Sequence, residues 1–424
     1  MNVIFDISPV GKHAETRTGL ARNAWSMAQA LRQRLGDNVS FSACGSIWAS
    51  VQVEELLTLH PELSSAIQPV GSAARSVHRW QQALERFNGT SKIPPRALLK
   101  SLERALVNVS RVQNTLRRPI NKVRLQQADI FHSSYARVPA QVKTALPGRC
   151  VLTVHDLTPL ILDERYFLPG QRAITRRIIN SIGRDDWVIT VSDATRSDLC
   201  QMAAVDPNRV ITVHEAASLE LFYPVTDADR LHAVRRRYGI PDGQFLLTLH
   251  SLAPHKNLPH LIRSFTTLLR QERSCDLTLV VAGGQEKSVG QMQAALIADG
   301  IDLRNVIFTG FVDDVDLATL YSAATAFVFP SLYEGFGLPV LEAMQCGCPV
   351  IVSNISSLPE LVGEAGMLVP PTDESTLCET MLRLTSDTEL RSCLSERCVE
   401  QAKRFSWTNT VDFVLRVYQR IMDN

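Results

Sequence analysis

The sequence predicts an α/β fold built on parallel sheets and divided between two domains, and three observations carry that prediction. At 424 residues the chain is longer than one hydrophobic core usually serves, which suggests two or three domains. Short apolar runs at residues 245–249, 277–282 and 326–329 have glycine or polar loops after them and then helical patterns, as buried parallel strands do. The polar stretch 214–229, with Pro224, Asp227 and Asp229, interrupts this alternation and reads as an interdomain linker.

Composition excludes several classes. A hydrophobic content of 45% is that of an ordinary globular protein, and a net charge of +1 argues against a general nucleic-acid binder. No apolar run reaches the roughly 18 residues a membrane span needs. Met1-Asn2-Val3-Ile4-Phe5-Asp6 reads as a strand rather than a signal peptide, so the expected location is cytoplasmic, with peripheral contact to the inner face of the membrane as an extension. Nine cysteines without C-x-x-C spacing fit a reducing compartment.

The first strand is expected to end in a loop over residues 8–18, after which Thr18-Gly19-Leu20-Ala21-Arg22 opens a helix. Gly19 serves either a tight turn or close approach of a ligand. Residues 75–124 carry twelve Lys or Arg against two acids, Glu85 and Glu103. Within them Leu98, Leu102, Ala105, Val109, Val112 and Leu116 recur at helical spacing, and Arg96, Lys100, Arg104, Arg111 and Arg118 form an opposite stripe about 80° wide. Two readings fit: a helix packed on the first sheet with a solvated basic back, or one whose basic stripe also touches an anionic membrane. Strands follow near residues 128–132, 150–154, 187–191 and 210–213, with a helix after Ser192 or Asp193 as its cap. His155 falls at the carboxyl end of a strand, where open α/β sheets bind ligands. A His155-Asp156 pair also invites a hydrolase triad, but the chain has no G-x-S-x-G elbow.

In the second half, the strand at 245–250 leads through Pro254-His255-Lys256-Asn257 into a helix at 260–269. The Gly283-Gly284 pair ends the next strand without a G-x-G-x-x-G fingerprint, which removes a dinucleotide redox reading. Asp314-Val315-Asp316 imitates a metal-binding pair but stands where a helix over 317–324 needs capping, so no metal is expected. The strand at 326–329 runs into Pro330-Ser331-Leu332-Tyr333-Glu334-Gly335-Phe336-Gly337-Leu338-Pro339. Gly335 and Gly337 free the backbone, Pro339 suits a first helical turn, and Gly347 stops that helix. A helix N-terminus beside Glu334 and Glu342 could cradle a phosphate or a sugar hydroxyl.

Glu334 and Glu342, in the setting E-G-F-G-L-P-V-L-E-A-M, resemble the E-x7-E signature of the family-4 retaining glycosyltransferases of GT-B fold. The string T-G-L-A-R is similar to that family's T-G-I-G-R, H-D-L-T-P to its H-D-x-x-P, and P-H-K-N to its P-x-K-N. N-I-S-S-L-P-E and G-M-L-V-P extend the resemblance over most of residues 245–410. It implies two Rossmann-like domains facing across a cleft, residues 1–217 and 218–407, with a terminal helix over 408–424 crossing back to the first. Glu334, His155 and Lys256 are the implied catalytic residues. Donor contacts are implied for Gly19, Ser251 and Lys256, for Phe311 and Val312 near the base, and for Glu334, Gly335, Phe336, Gly337, Leu338 and Glu342.

The implied activity moves a sugar from a nucleoside diphosphate donor to a hydroxyl of a glycan or lipid-linked acceptor, with retention and with no cofactor or metal. GDP-mannose is the leading donor expectation, because the H-D-x-x-P subgroup includes bacterial mannosyl- and rhamnosyltransferases of polysaccharide and lipopolysaccharide assembly. Ala21, His255 and Ser251 depart from the family pattern, which keeps open a non-catalytic nucleotide-sugar-binding partner of another transferase. A nucleotide-sugar epimerase of similar fold and a glycoside hydrolase are further alternatives.

Overall fold

The structure, a computed structural model, describes residues 1–13, 19–71, 75–76, 119–249, 253–272, 276–284 and 286–424. The basic stripe from Arg96 to Arg118 and the donor residue Ser251 lie outside these residues. Among the described residues no helix is long and apolar enough to cross a membrane.

Two sheets of six parallel strands organise the chain. The first takes β1 (Val3–Asp6), β2 (Val39–Ser42), β3 (Ile130–Ser133), β4 (Cys150–Val154), β5 (Trp187–Thr190) and β6 (Val210–Thr212) in the order β2-β1-β3-β4-β5-β6. The second takes β7 (Gln244–Leu249), β8 (Leu277–Ala282), β9 (Val306–Gly310), β10 (Ala326–Phe329), β11 (Val350–Ser353) and β12 (Met367–Val369) in the order β12-β11-β10-β7-β8-β9. These strands read as apolar runs because helices cover both faces; β1, β8 and β10 are buried at every position. Strand order reverses between β1 and β3 and between β7 and β10. Such switch points open a crevice at the carboxyl ends of the strands. The loop holding Lys256 leaves β7 there, and the loop holding Glu334 leaves β10.

Two local expectations change and one is refined. Residues 8–13 form a helix, Ser8–His13, rather than a loop; Pro9 suits a first helical turn, and the segment packs on the helix Ile47–Leu59. The expected linker does join β6 to the second half, but it is anchored at intervals: Glu215, Ala216, Ala217, Phe222 and Val225 are buried, Phe222 and Val225 in the core of the second sheet, while Leu219, Glu220, Tyr223 and Pro224 are exposed. The helix expected over 317–324 begins at Asp314, and Asp313 at its N-cap position makes no side-chain capping bond.

The terminal helix, Trp407–Met422, starts at Ser406, whose hydroxyl accepts from the Asn409 N–H at 3.2 Å. Its Val411, Val414, Val417, Tyr418 and Ile421 are at helical spacing and join the core of the first sheet, with Phe5, Phe41 and Ile130. Burying each such valine contributes about 1.5–3 kcal/mol. The Tyr418 hydroxyl lies 2.6 Å from His132 Nδ1, and Thr153 Oγ1 lies 2.7 Å from His132 Nε2. Burial pushes the His132 imidazole down to about 3, so this tie is made by a neutral ring.

Candidate active site in the cleft

Glu334 and Lys256 meet across the β7/β10 switch point. The Lys256 ammonium donates to both Glu334 carboxylate oxygens, at 2.7 and 2.8 Å. It also lies 5.2 Å from the centroid of the Phe329 ring. The Glu334 N–H donates to Ser356 Oγ at 3.1 Å, and the Ser357 hydroxyl lies 3.1 and 2.9 Å from the Glu334 and Phe336 carbonyls. The loop is thereby bonded to the segment ahead of the helix Leu358–Val362. Next to Lys256, burial and the neighbouring ammonium push His255 down to about 4, so it stands as a neutral ring.

Glu342 sits on the helix Leu338–Gln345 with 3% of its side chain exposed. Arg22 of the first half donates through Nη2 to Glu342 Oε1 and through Nη1 to Asp314 Oδ1, both at 3.1 Å. The Tyr321 hydroxyl donates to Glu342 Oε2 at 3.1 Å. Burial pushes the Glu342 carboxyl up to about 7, against the pull of Arg22 and Tyr321. The two aspartates that resembled a metal pair are divided: Asp314 holds Arg22, while Asp316 holds Arg237 at 2.6 Å and accepts from the Tyr238 hydroxyl at 3.0 Å.

At Gly335 the two halves leave no room for a side chain. A Cβ there would fall 1.9 Å from the His155 carbonyl oxygen and 2.6 Å from Asp156 Cβ. The glycine thus serves contact between domains. Gly337 has a φ of 108°, and a Cβ on it would strike Leu358 Cδ2 at 2.7 Å. Gly19 opens the helix Gly19–Leu35, and a Cβ on it would meet Leu338 Cδ1 at 3.7 Å. The start of that helix therefore faces the start of the helix after Glu334.

His155 has both ring nitrogens engaged. Nε2 lies 2.6 Å from the Ser134 carbonyl, which can only accept, and Nδ1 lies 2.6 Å from Glu215 Oε1. Burial alone would lower its pKa; the hydrogen bond and charge of Glu215 outweigh burial and raise it. Burial likewise raises Asp156, which accepts from the Thr158 N–H at 2.9 Å.

The other expected residues divide. Phe311 is 61% exposed at the end of β9, whereas Val312 and Phe336 point into the core of the second sheet, leaving only their backbone for a ligand. A cavity of about 1720 Å³ opens between the halves, lined among others by His155, Asp156, Arg165, His255, Thr309 and Phe311. Phe167 crosses it and stacks on His255, with centroids 5.7 Å apart and planes at 24°.

Three residues of the cleft carried no role at the level of sequence. Arg22 was legible only as part of T-G-L-A-R, and Glu215 lay in the expected linker. Glu360, in L-P-E, accepts the N–H of Asp193 with its two oxygens, at 3.0 and 3.1 Å, capping the helix Asp193–Met202 of the other half. A His214 nitrogen lies within 4.8 Å of carboxylate oxygens of both.

Comparison with known proteins agrees with this architecture. Residues 233–405 match the model described as glycosyl transferases group 1, and residues 56–221 match glycosyltransferase family 4. O-antigen chain mannosyltransferase B of Escherichia coli is 32% identical over 292 residues, 68% of this chain and 74% of that protein. The serotype-specific mannosyltransferase WbdA of Escherichia coli is 31% identical over 283 residues, 66% of this chain; the match spans about a third (34%) of WbdA's length. Among solved structures, Anabaena HepE in complex with UDP and glucose superposes with a TM-score of 0.65 at 18% identity, covering 100% of this chain and 98% of that one. Sucrose-phosphate synthase of Thermosynechococcus elongatus does so with a TM-score of 0.68 at 20% identity, covering 100% of each. With two Rossmann-like domains facing across a cleft in the GT-B manner, the chain belongs to the family-4 glycosyltransferases.

Proposed function

We propose that the protein is a retaining glycosyltransferase that moves one sugar from a nucleoside diphosphate donor to a hydroxyl of a glycan or lipid-linked acceptor in bacterial polysaccharide assembly. The observation that carries the reading is the Lys256–Glu334 pair, at 2.7 Å across the switch point. It sets a cation for a departing diphosphate beside an anion for the positive charge that develops on the sugar. The sugar–diphosphate C–O bond breaks, the acceptor oxygen bonds to the same face of the anomeric carbon, and its proton leaves with the diphosphate. Losing one such electrostatic contact typically costs about 10² to 10³ in rate. Glu342 binds the ribose hydroxyls. Glu215 and the Ser134 carbonyl both face ring nitrogens of His155, which favours its protonated form in the cleft wall. The chemistry is metal-independent, a reading supported by the division of Asp314 and Asp316 between two arginines. GDP-mannose is the proposed donor, on the likeness to the two Escherichia coli mannosyltransferases. The basic stripe at 96–118 is proposed to meet an anionic membrane surface; equal binding to neutral and anionic vesicles would remove it.

The test is nucleoside diphosphate release from a panel of sugar nucleotides with an acceptor extract, with and without chelator. Release from GDP-mannose, unchanged by chelator and lost in Glu334→Gln, is the expected result. Release that chelator abolishes would remove metal independence, and release from another donor alone would remove the mannose assignment. No release, with no donor raising the melting temperature, would overturn the transferase reading.

A further inference from the structure

Arg22 reaches the second half from the first turn of the helix Gly19–Leu35, and it occupies a position that the proposed donor must take. Its guanidinium fills one oxygen of Glu342 and the Tyr321 hydroxyl fills the other. Tyr321 is fully buried, whereas the Arg22 side chain is 27% exposed. A ribose hydroxyl arriving at Glu342 therefore has Arg22, not Tyr321, to displace.

The charges around the donor seat point the same way. Both cations of the donor seat are already engaged by carboxylates, Lys256 by Glu334 and Arg22 by Glu342 and Asp314. A diphosphate adds further negative charge, and His255 beside Lys256 is held neutral by burial. That leaves Arg22 as the charged group whose present partner, Glu342, the donor itself would take over. Arg22 is three residues beyond Gly19, where a Cβ would lie 3.7 Å from Leu338 Cδ1. A guanidinium released there stays tethered at the start of one helix, against the start of another. Its planar fork suits two phosphate oxygens at once.

We propose that Arg22 is an exchangeable counter-ion for the nucleoside diphosphate: it holds Glu342 in the empty site, yields that carboxylate to the ribose, and pairs with the diphosphate. The inference rests on the donor reading above. It assigns to this chain a second phosphate-binding cation, contributed by the first half.

The experiment compares wild type with Arg22→Gln in the full chain, titrating GDP, UDP, ADP and dTDP by calorimetry and the matching nucleosides by ligand-observed NMR. The ligand pair is the one wild type selects. Arg22→Gln is expected to weaken the diphosphate about 10- to 100-fold, the range of one or two decades that one charged contact controls, while the nucleoside binds as tightly as before or tighter. Equal weakening of both would mean a structural role and would overturn the proposal, as would tightening of both, which would mean obstruction alone. If Arg22→Gln lacks a cooperative melt, Arg22→Lys decides: a smaller preference for the diphosphate over the nucleoside supports exchange, and an unchanged preference overturns it. Binding of none of the four diphosphates by wild type would instead sink the donor reading itself.

Discussion

Glu334 receives the Lys256 ammonium on both carboxylate oxygens, at 2.7 and 2.8 Å, and each residue stands in the loop after a different strand of the β7/β10 switch. Their side chains are only 10% and 18% exposed, so either charge left alone is poorly solvated. Lys256→Met is expected to destabilise the fold by about 3 kcal/mol through the stranded carboxylate. Lys256→Met with Glu334→Gln should recover most of that loss without recovering turnover. Urea unfolding of the two single variants and the double variant measures the coupling. Strictly additive losses would mean that the pair is not formed in solution.

Gly335→Ala tests the contact between the halves. The added methyl would overlap the His155 carbonyl at 1.9 Å, and that carbonyl is main chain that cannot rotate aside. A lower melting temperature and a larger radius of gyration in solution scattering are expected. Gly290→Ala is the control: it lies in the helix Glu286–Ala298 with nothing within 4 Å of its Cβ position. That variant should gain about 0.5–1 kcal/mol from helix propensity. Equal behaviour of the two would mean that the halves stand apart.

Glu215 is predicted to hold the proton of His155. The folded pKa of His155 is raised, so this pair stabilises the protein below the ordinary histidine pKa, and that contribution is lost as pH rises through the folded value. In Glu215→Gln, burial is left to dominate and the His155 pKa should fall below the usual range. NMR titration of the ring reads this directly. An unchanged titration would show that Glu215 does not control the ring.

Glu360 is predicted to give stability the opposite dependence from an ordinary carboxylate. Burial, followed by the nearby Asp193 charge, pushes it up to about 7, against the N–H bonds it accepts. The folded state then binds more protons than the unfolded one between about pH 4.5 and 7, so this group's contribution falls as pH rises across that window. Glu360→Gln keeps an acceptor for the Asp193 N–H and removes the charge. Its melting temperature should match wild type near pH 5 and exceed it near pH 8. A variant less stable than wild type at pH 8 would contradict the account.

Glu334 and Glu342 were legible in the sequence because an apolar strand, two glycines and a proline mark the loop and helix start that hold them, whereas Lys256 was legible only through the resemblance of its P-H-K-N string. Most strands of both sheets were legible because strands buried on two faces read as apolar runs, but β2, which reads V-S-F-S, and the three-residue edge strand β12 were not. Nor were Arg22 and Glu215. Arg22 meets partners 292 and 320 residues away, and Glu215 meets His155 60 residues away, so no local period marks them. Glu215 also lies in the polar stretch that links the two sheets, where a buried carboxylate is not expected. Gly335 was read as a place for a ligand to approach, and only the fold shows the His155 backbone filling that space.

The most direct measurement is the anomeric configuration of a trapped product. An α-configured sugar nucleotide is incubated with the protein and a high concentration of methanol, whose glycosides do not mutarotate, and the product is read by proton NMR. The account predicts the methyl α-glycoside, formed by wild type and absent with Glu334→Gln. A methyl β-glycoside would contradict retention, and equal yield from Glu334→Gln would contradict the role of the Lys256–Glu334 pair.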